Sequence, residues 1–97
     1  MGKVYKNQTA LTLIATLGQD ITGASSLLIK YIKPDFTTGS FVATSTDDAN
    51  GIIEYTISDE DDLDQVGIWT FWGYVIFSNG TVAPGEPYTR TIYEQGS

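Results

Sequence analysis

Asp59, Glu60, Asp61, Asp62 and Asp64 form the densest run of chemistry-bearing side chains in this sequence. Their oxygens are of the kind that Ca²⁺ takes about six to eight of at a time, and Asp48-Ala49-Asn50-Gly51 faintly echoes a calcium loop. Neither stretch has the spacing of a complete site, and a run of like charges reads as a solvated loop, so the expectation is no metal and no cofactor. Two carboxylates can also hydrolyse a glycosidic bond, but only when held across a cleft at a defined separation. Here the acids fall mostly beside turns of a small chain. The sequence has no His and no Cys, which removes the commonest general base and metal ligand together with thiolate chemistry and disulfides. Zinc binding and His-dependent catalysis are excluded, and a non-enzymatic role is expected.

Composition bounds the scaffold. Its 97 residues, 41% of them hydrophobic, make one domain, residues 1–97, able to bury roughly 60–65% of its unfolded surface. The net charge of −7 repels phosphate backbones, so no nucleic-acid partner is expected. Lys3, Lys6, Lys30 and Lys33 precede residue 34 with Asp20 as their one acid, whereas Arg90 and eleven acids follow. Separated in space, such groups would let copies or neighbours associate through opposite-sign patches. The apolar runs fall well short of the ~20 residues that cross a bilayer, and no apolar signal region follows Met1-Gly2-Lys3. No membrane is expected, and synthesis in a cytoplasm is.

Short apolar segments between turn signals, with no sustained helical period, predict an all-β chain of about six or seven strands. These are an edge strand at Val4-Tyr5, then 10–17, 26–32, 41–46, 52–58, 67–78 and 81–93. Turns fall at 18–23, at Lys33-Pro34-Asp35, at 47–51 and at Asn79-Gly80, the last as a two-residue hairpin turn. Pro84 and Pro87 break the final strand and mark an edge or a change of sheet. Ile53, Tyr55 and Ile57 alternate with Glu54 and Thr56, as a half-buried strand should.

Strands at this spacing predict an immunoglobulin-like two-sheet antiparallel β-sandwich. Asp64, Gly67, Trp69 and Phe71 stand where immunoglobulin domains carry Asp, Gly, the corner Tyr and the disulfide Cys at the entry to a central strand. Trp69, Phe71, Val75 and Phe77 on one face of that strand, with Ile53, Tyr55 and Leu13, are the expected core. Its second face carries Ile68, Trp72, Tyr74 and Ile76. A sandwich strand normally shows that face to water, and exposed aromatics anchor interfaces, so Trp72, Tyr74 and Ile76 are the expected contact residues. Coverage of this face by neighbouring side chains or by residues 84–93 is the alternative.

The series Asp20-Ile21-Thr22-Gly23-Ala24-Ser25, Lys33-Pro34-Asp35, Gly51 to Tyr55, Asp62-Leu63-Asp64 and Gly67-Ile68-Trp69 resembles the immunoglobulin-like N-terminal domain of tailed-phage upper baseplate proteins. The likeness runs from about Val4 to Tyr93. The family's Lys-Pro-Asp turn usually continues with Gly, where this chain has Phe36. The resemblance implies a virion building block, in the baseplate, the tail or as a capsid decoration, docking on other phage virion proteins or on copies of itself. Edge pairing through residues 3–6 or 88–93 would serve that role, with Lys3, Lys6, Tyr88 and Arg90 as contact residues. The rival is a carbohydrate- or cell-surface-binding module, with Trp72 and Tyr74, or Phe36 with Tyr88, as stacking platforms for a host-surface glycan.

Overall fold

The described residues, 3–96 of the computed structural model, form nine strands and no helix. In chain order they are β1 (Val4–Tyr5), β2 (Thr12–Thr16), β3 (Ala24–Ile32), β4 (Thr38–Val42), β5 (Thr44–Asp47), β6 (Ile52–Thr56), β7 (Gly67–Phe77), β8 (Val82–Pro84) and β9 (Tyr88–Tyr93). Met1 and Gly2, on which the expectation about a signal region partly rests, lie outside the described residues, as does Ser97. A six-stranded sheet runs β1-β9-β7-β3-β4, with β8 beside β7, and a three-stranded sheet runs β2-β6-β5. The chain is thus an immunoglobulin-like β-sandwich. β8 and β9 are two pieces of the last expected strand, parted at residues 85–87.

β7 organises the core because its alternation sends one apolar set inward. Trp69, Phe71 and Val75 are fully buried there, against Ile29 of β3 and Ile53 of β6. Leu13 is buried with them, while Phe77 and Tyr55 are partly buried at the core margin. The indole Nε1 of Trp69 donates to the Gln65 carbonyl 3.0 Å away. This is the bond back to upstream backbone that a corner tyrosine makes in immunoglobulin domains. Gly73 lets the second sheet approach, since a Cβ there would meet Leu17 Cδ2 at 3.0 Å and Ala15 Cβ at 3.1 Å.

Three expectations need correction. The strand placed at 41–46 begins earlier, at Thr38, and crosses from one sheet to the other at Ala43, whose amide donates to Leu27 O. β1 is an edge strand of the larger sheet, as expected, but the end of β9 is not an open edge, because it pairs with β1, in parallel, at Val4↔Ile92 and Tyr5↔Tyr93. Asn79-Gly80 is not a two-residue turn. Gly80 N donates to Phe77 O and Phe77 N to Thr81 O, which makes a three-residue loop closed by a residue at positive φ, here Gly80 at 87°.

The β3–β4 hairpin repeats that loop with one change. Phe36 N donates to Lys33 O and Lys33 N to Thr37 O. Asp35 Oδ1 accepts from Thr37 N and Oγ1, as Asn79 Oδ1 does from Thr81. These bonds hold the exposed Asp35 carboxyl below the usual carboxylate range. Phe36 occupies the position of Gly80, at φ 70° and 85% exposed. A Cβ is unfavourable there, so Phe36→Gly is expected to stabilise the fold by about 0.5–1 kcal/mol. A thermal melt would show a rise of roughly 3–6 °C; an unchanged or lowered Tm would mean that ring contacts outweigh the torsion.

Candidate functional site

The outward set of β7 meets the outward sets of its neighbours. Tyr74 lies opposite Leu28 on β3 and Pro84 on β8, Ile76 opposite Ser26 and Val82, Trp72 opposite Lys30, and Thr70 opposite Ile32. Leu28 is in turn opposite Val42 on β4. Apolar side chains therefore run across the outer face of the larger sheet in register rather than singly. Lys30 Nζ sits 3.8 Å from the Tyr74 ring centroid, an arrangement that holds a cation on an aromatic face. Trp72 walls a shallow groove of about 330 Å³ with Lys30, Thr38 and Ser40. Ile68, 62% exposed, extends the strip toward Phe36 through a depression that also includes Ile32 and Pro34.

Trp72, Tyr74 and Ile76 are half-buried by these lateral neighbours. Residues 84–93 do not lie over them, because β8 and β9 pair edge-on with β7 within its own sheet. The remaining expected contact residues lie elsewhere. Lys3 stands over the Tyr93 ring at 4.8 Å, and Lys6 donates its amide to Tyr93 O. Tyr88 packs against the core with its ring 5.7 Å from Phe71. Arg90 is opposite Trp69 in the β7–β9 register, so it shares the phase of the inward set. The structure does not gather them with Trp72, Tyr74 and Ile76 into one site.

The acidic run is tied into the fold. Asp62 Oδ2 accepts from Tyr55 OH at 2.7 Å, and Asp59 Oδ1 caps the amide of Asp61 at 2.9 Å. Lys33 Nζ donates to Asp64 Oδ2 at 3.0 Å and lies 2.9 Å from Oδ1. Oδ1 is buried without hydrogen-bond alignment, so its compensation is ionic. No group of three or more acidic side chains among the described residues converges on a point that could hold a metal ion. The pair was not apparent in the sequence because its members stand 31 residues apart.

Three protons of the fold are held more tightly than in the free side chains. The hydrogen bond to Asp64 raises the pKa of Lys33, that to Asp62 raises Tyr55, and burial raises Tyr88. Each folded-state value lies above its unfolded one, so the stability it contributes is full below about pH 10 and lost as pH rises through the raised values. Alkaline titration followed by circular dichroism should show unfolding in that window and none attributable to these groups at neutral pH. Asp64→Asn should cost about 1–2 kcal/mol at pH 7, allowing for screening of the partly exposed carboxylate, and should move the alkaline transition to lower pH. An unmoved transition would remove Lys33 from the account.

No family model and no curated protein matches the sequence. Among solved structures the fold is similar to that of CopC from Methylosinus trichosporium OB3b, with a TM-score of 0.59 and 13% identity, covering 100% of this chain and 89% of that one. At such identity the likeness is one of fold.

Proposed function

We propose that this protein is a non-enzymatic docking module that binds another protein through the outer face of its larger sheet. The observation that carries this reading is the registered apolar strip through Ile76, Tyr74, Trp72 and Ile68, which no other strand among the described residues crosses. Aromatic anchors on a rigid sheet give an interface area at little cost in conformational entropy. On the resemblance in its turn residues, its partners are structural proteins of a tailed-phage particle, and its place is the virion. Trp72→Lys is the test. Wild-type chain should appear by mass spectrometry in purified particles, and the variant should be lost from them while keeping the wild-type melting temperature. Absence of the wild-type chain would overturn the virion assignment, and retention of a folded variant would overturn the face.

A second reading is favoured by the Trp72 groove, where an indole stands beside the hydroxyls of Thr38 and Ser40, the chemistry that stacks and hydrogen-bonds a sugar ring. Binding of the isolated domain on a glycan array, abolished by Trp72→Ala, would support it over the first.

A further inference from the structure

We propose that the cleft between β2 and the segment joining β8 to β9 is a binding site for a small organic cation, an ammonium or guanidinium carried on an apolar body. The cleft lies between β2, an edge of the smaller sheet, and the margin of the larger sheet at β8. It involves neither Trp72 nor Tyr74, so the proposal goes beyond the docking face. Its volume of about 630 Å³ is in the range of pockets that take small molecules.

The walls are held from both sheets. Pro84 and Pro87 fix the backbone on either side of Gly85 and Glu86. Gly85 N donates to Gly73 O at 2.7 Å, which ties the segment to β7. A Cβ on Gly85 would lie 2.7 Å from the Thr16 carbonyl oxygen and 3.3 Å from Leu17 Cδ1, so the segment also rests on the end of β2. A ligand meets a cleft that needs little ordering on binding.

The lining selects the ligand's chemistry. Ile14, Leu17, Pro84, Pro87 and Tyr88 supply apolar surface, and Glu86 is the one charged residue. Ile14 is 55% exposed, so that surface is open to a ligand. Among the described residues Glu86 enters no ion pair, and its carboxylate is open to a cation. At a net charge of −7 the field of the whole chain draws cations and repels anions. Arg90 acts on the Tyr88 hydroxyl, yet it stands two residues farther along β9 and outside the lining.

The main chain limits the ligand's size. Leu17 N donates to Gly51 O and Ile57 N to Leu11 O, so the odd residues of β2 face β6. Antiparallel alternation then turns the N–H and C=O of Ile14 and Thr16 outward. Gly85 covers the Thr16 carbonyl, so an extended chain laid along β2 runs into the segment. A discrete ligand fits where an added strand does not, and the Ile14 carbonyl is a second acceptor for its N–H groups.

The test is a titration of the full chain at pH 7, followed by amide chemical shifts. The probes 2-phenylethylamine, 2-phenylethanol and phenylacetate put positive, neutral and negative charge on similar apolar bodies. The amine should bind at about millimolar strength and roughly three- to fivefold more tightly than the alcohol, the pull of an exposed carboxylate. Phenylacetate should bind more weakly than either. Shifts should centre on Ile14, Gly85, Glu86 and Tyr88. Glu86→Gln, at an exposed position, should abolish the amine's advantage and leave the alcohol's affinity, and Ile14→Ser should weaken all three. Acetyl-Val-Lys-Val-amide, which carries its cation on an extended chain, should bind no more tightly than the amine. Equal affinity for amine and alcohol, an amine advantage that survives Glu86→Gln, tighter binding of the peptide, or shifts centred on Trp72 would each overturn the proposal. A preference for phenylacetate would do so too, by assigning the cleft to Arg90. Trp72→Lys should change none of these affinities, which keeps this result separate from that for the docking face.

Discussion

Trp69→Ala is expected to cost about 4 kcal/mol, a large part of the roughly 5–15 kcal/mol that holds a domain folded. The indole is fully buried, with the Tyr31 ring at 5.4 Å and the Phe71 ring at 5.9 Å. Its removal leaves a cavity between the sheets that these rigid rings cannot collapse into. It also leaves the Gln65 carbonyl without its donor, and it removes the aromatic surface on which Lys33 Nζ rests, 5.6 Å from the ring centroid. Trp69→Phe separates these effects, since it restores most of the apolar volume while still deleting the hydrogen bond, and about 1–2 kcal/mol should remain lost. Urea unfolding followed by the fluorescence of Trp72 measures both. A loss below about 1.5 kcal/mol for the alanine variant would show that the corner does not anchor the sandwich.

Gly51→Ala should be nearly as damaging, at about 3 kcal/mol, through the backbone. Gly51 has φ 69°, and a Cβ there would overlap the Gln19 carbonyl oxygen and press on Leu17 Cβ at 3.2 Å. Its own carbonyl accepts from Leu17 N, and the turn it closes accepts from Ile21 N through Asp48 O. The β2–β3 and β5–β6 connections thus meet backbone to backbone, and neither can retreat. Gly80→Ala is the control. It has the same sign of φ, at 87°, but open space around the missing Cβ, so it should lose only about 1 kcal/mol. Equal losses in the two variants by chemical denaturation would mean that torsion alone sets the cost at Gly51.

The features that were legible in the sequence are those encoded by alternation along one strand. Trp69, Phe71 and Val75 could be assigned inward because they fall at even spacings along one strand, and Trp72, Tyr74 and Ile76 then had to face outward. The β4–β5 division was not legible. Phe41-Val42-Ala43-Thr44 is continuous in β-propensity, and the crossing at Ala43 is decided by a hydrogen bond to Leu27, on another strand. Thr38-Gly39-Ser40 carries a weak strand signal, yet it pairs fully with β3, where the Tyr31 ring takes up the space a side chain at Gly39 would need. Phe36 concealed its loop for the opposite reason. The residue type argues against positive φ, and the bonds of Asp35 and Thr37 on either side impose it. Coverage of the outer face could be posed from the sequence as an alternative, but which strands flank it could not, since the groups beside Trp72 and Tyr74 come from β3, β4 and β8.

The parallel pairing of β1 with β9 has a mechanical consequence. Because the two terminal strands run in the same direction, tension applied between the chain's ends drags β1 backward and β9 forward along their common axis. The bonds between them, including that from Lys6 N to Tyr93 O, are then loaded together in shear instead of being unzipped one at a time. Held at both ends, the chain would resist extension at this short clamp first, and yield there.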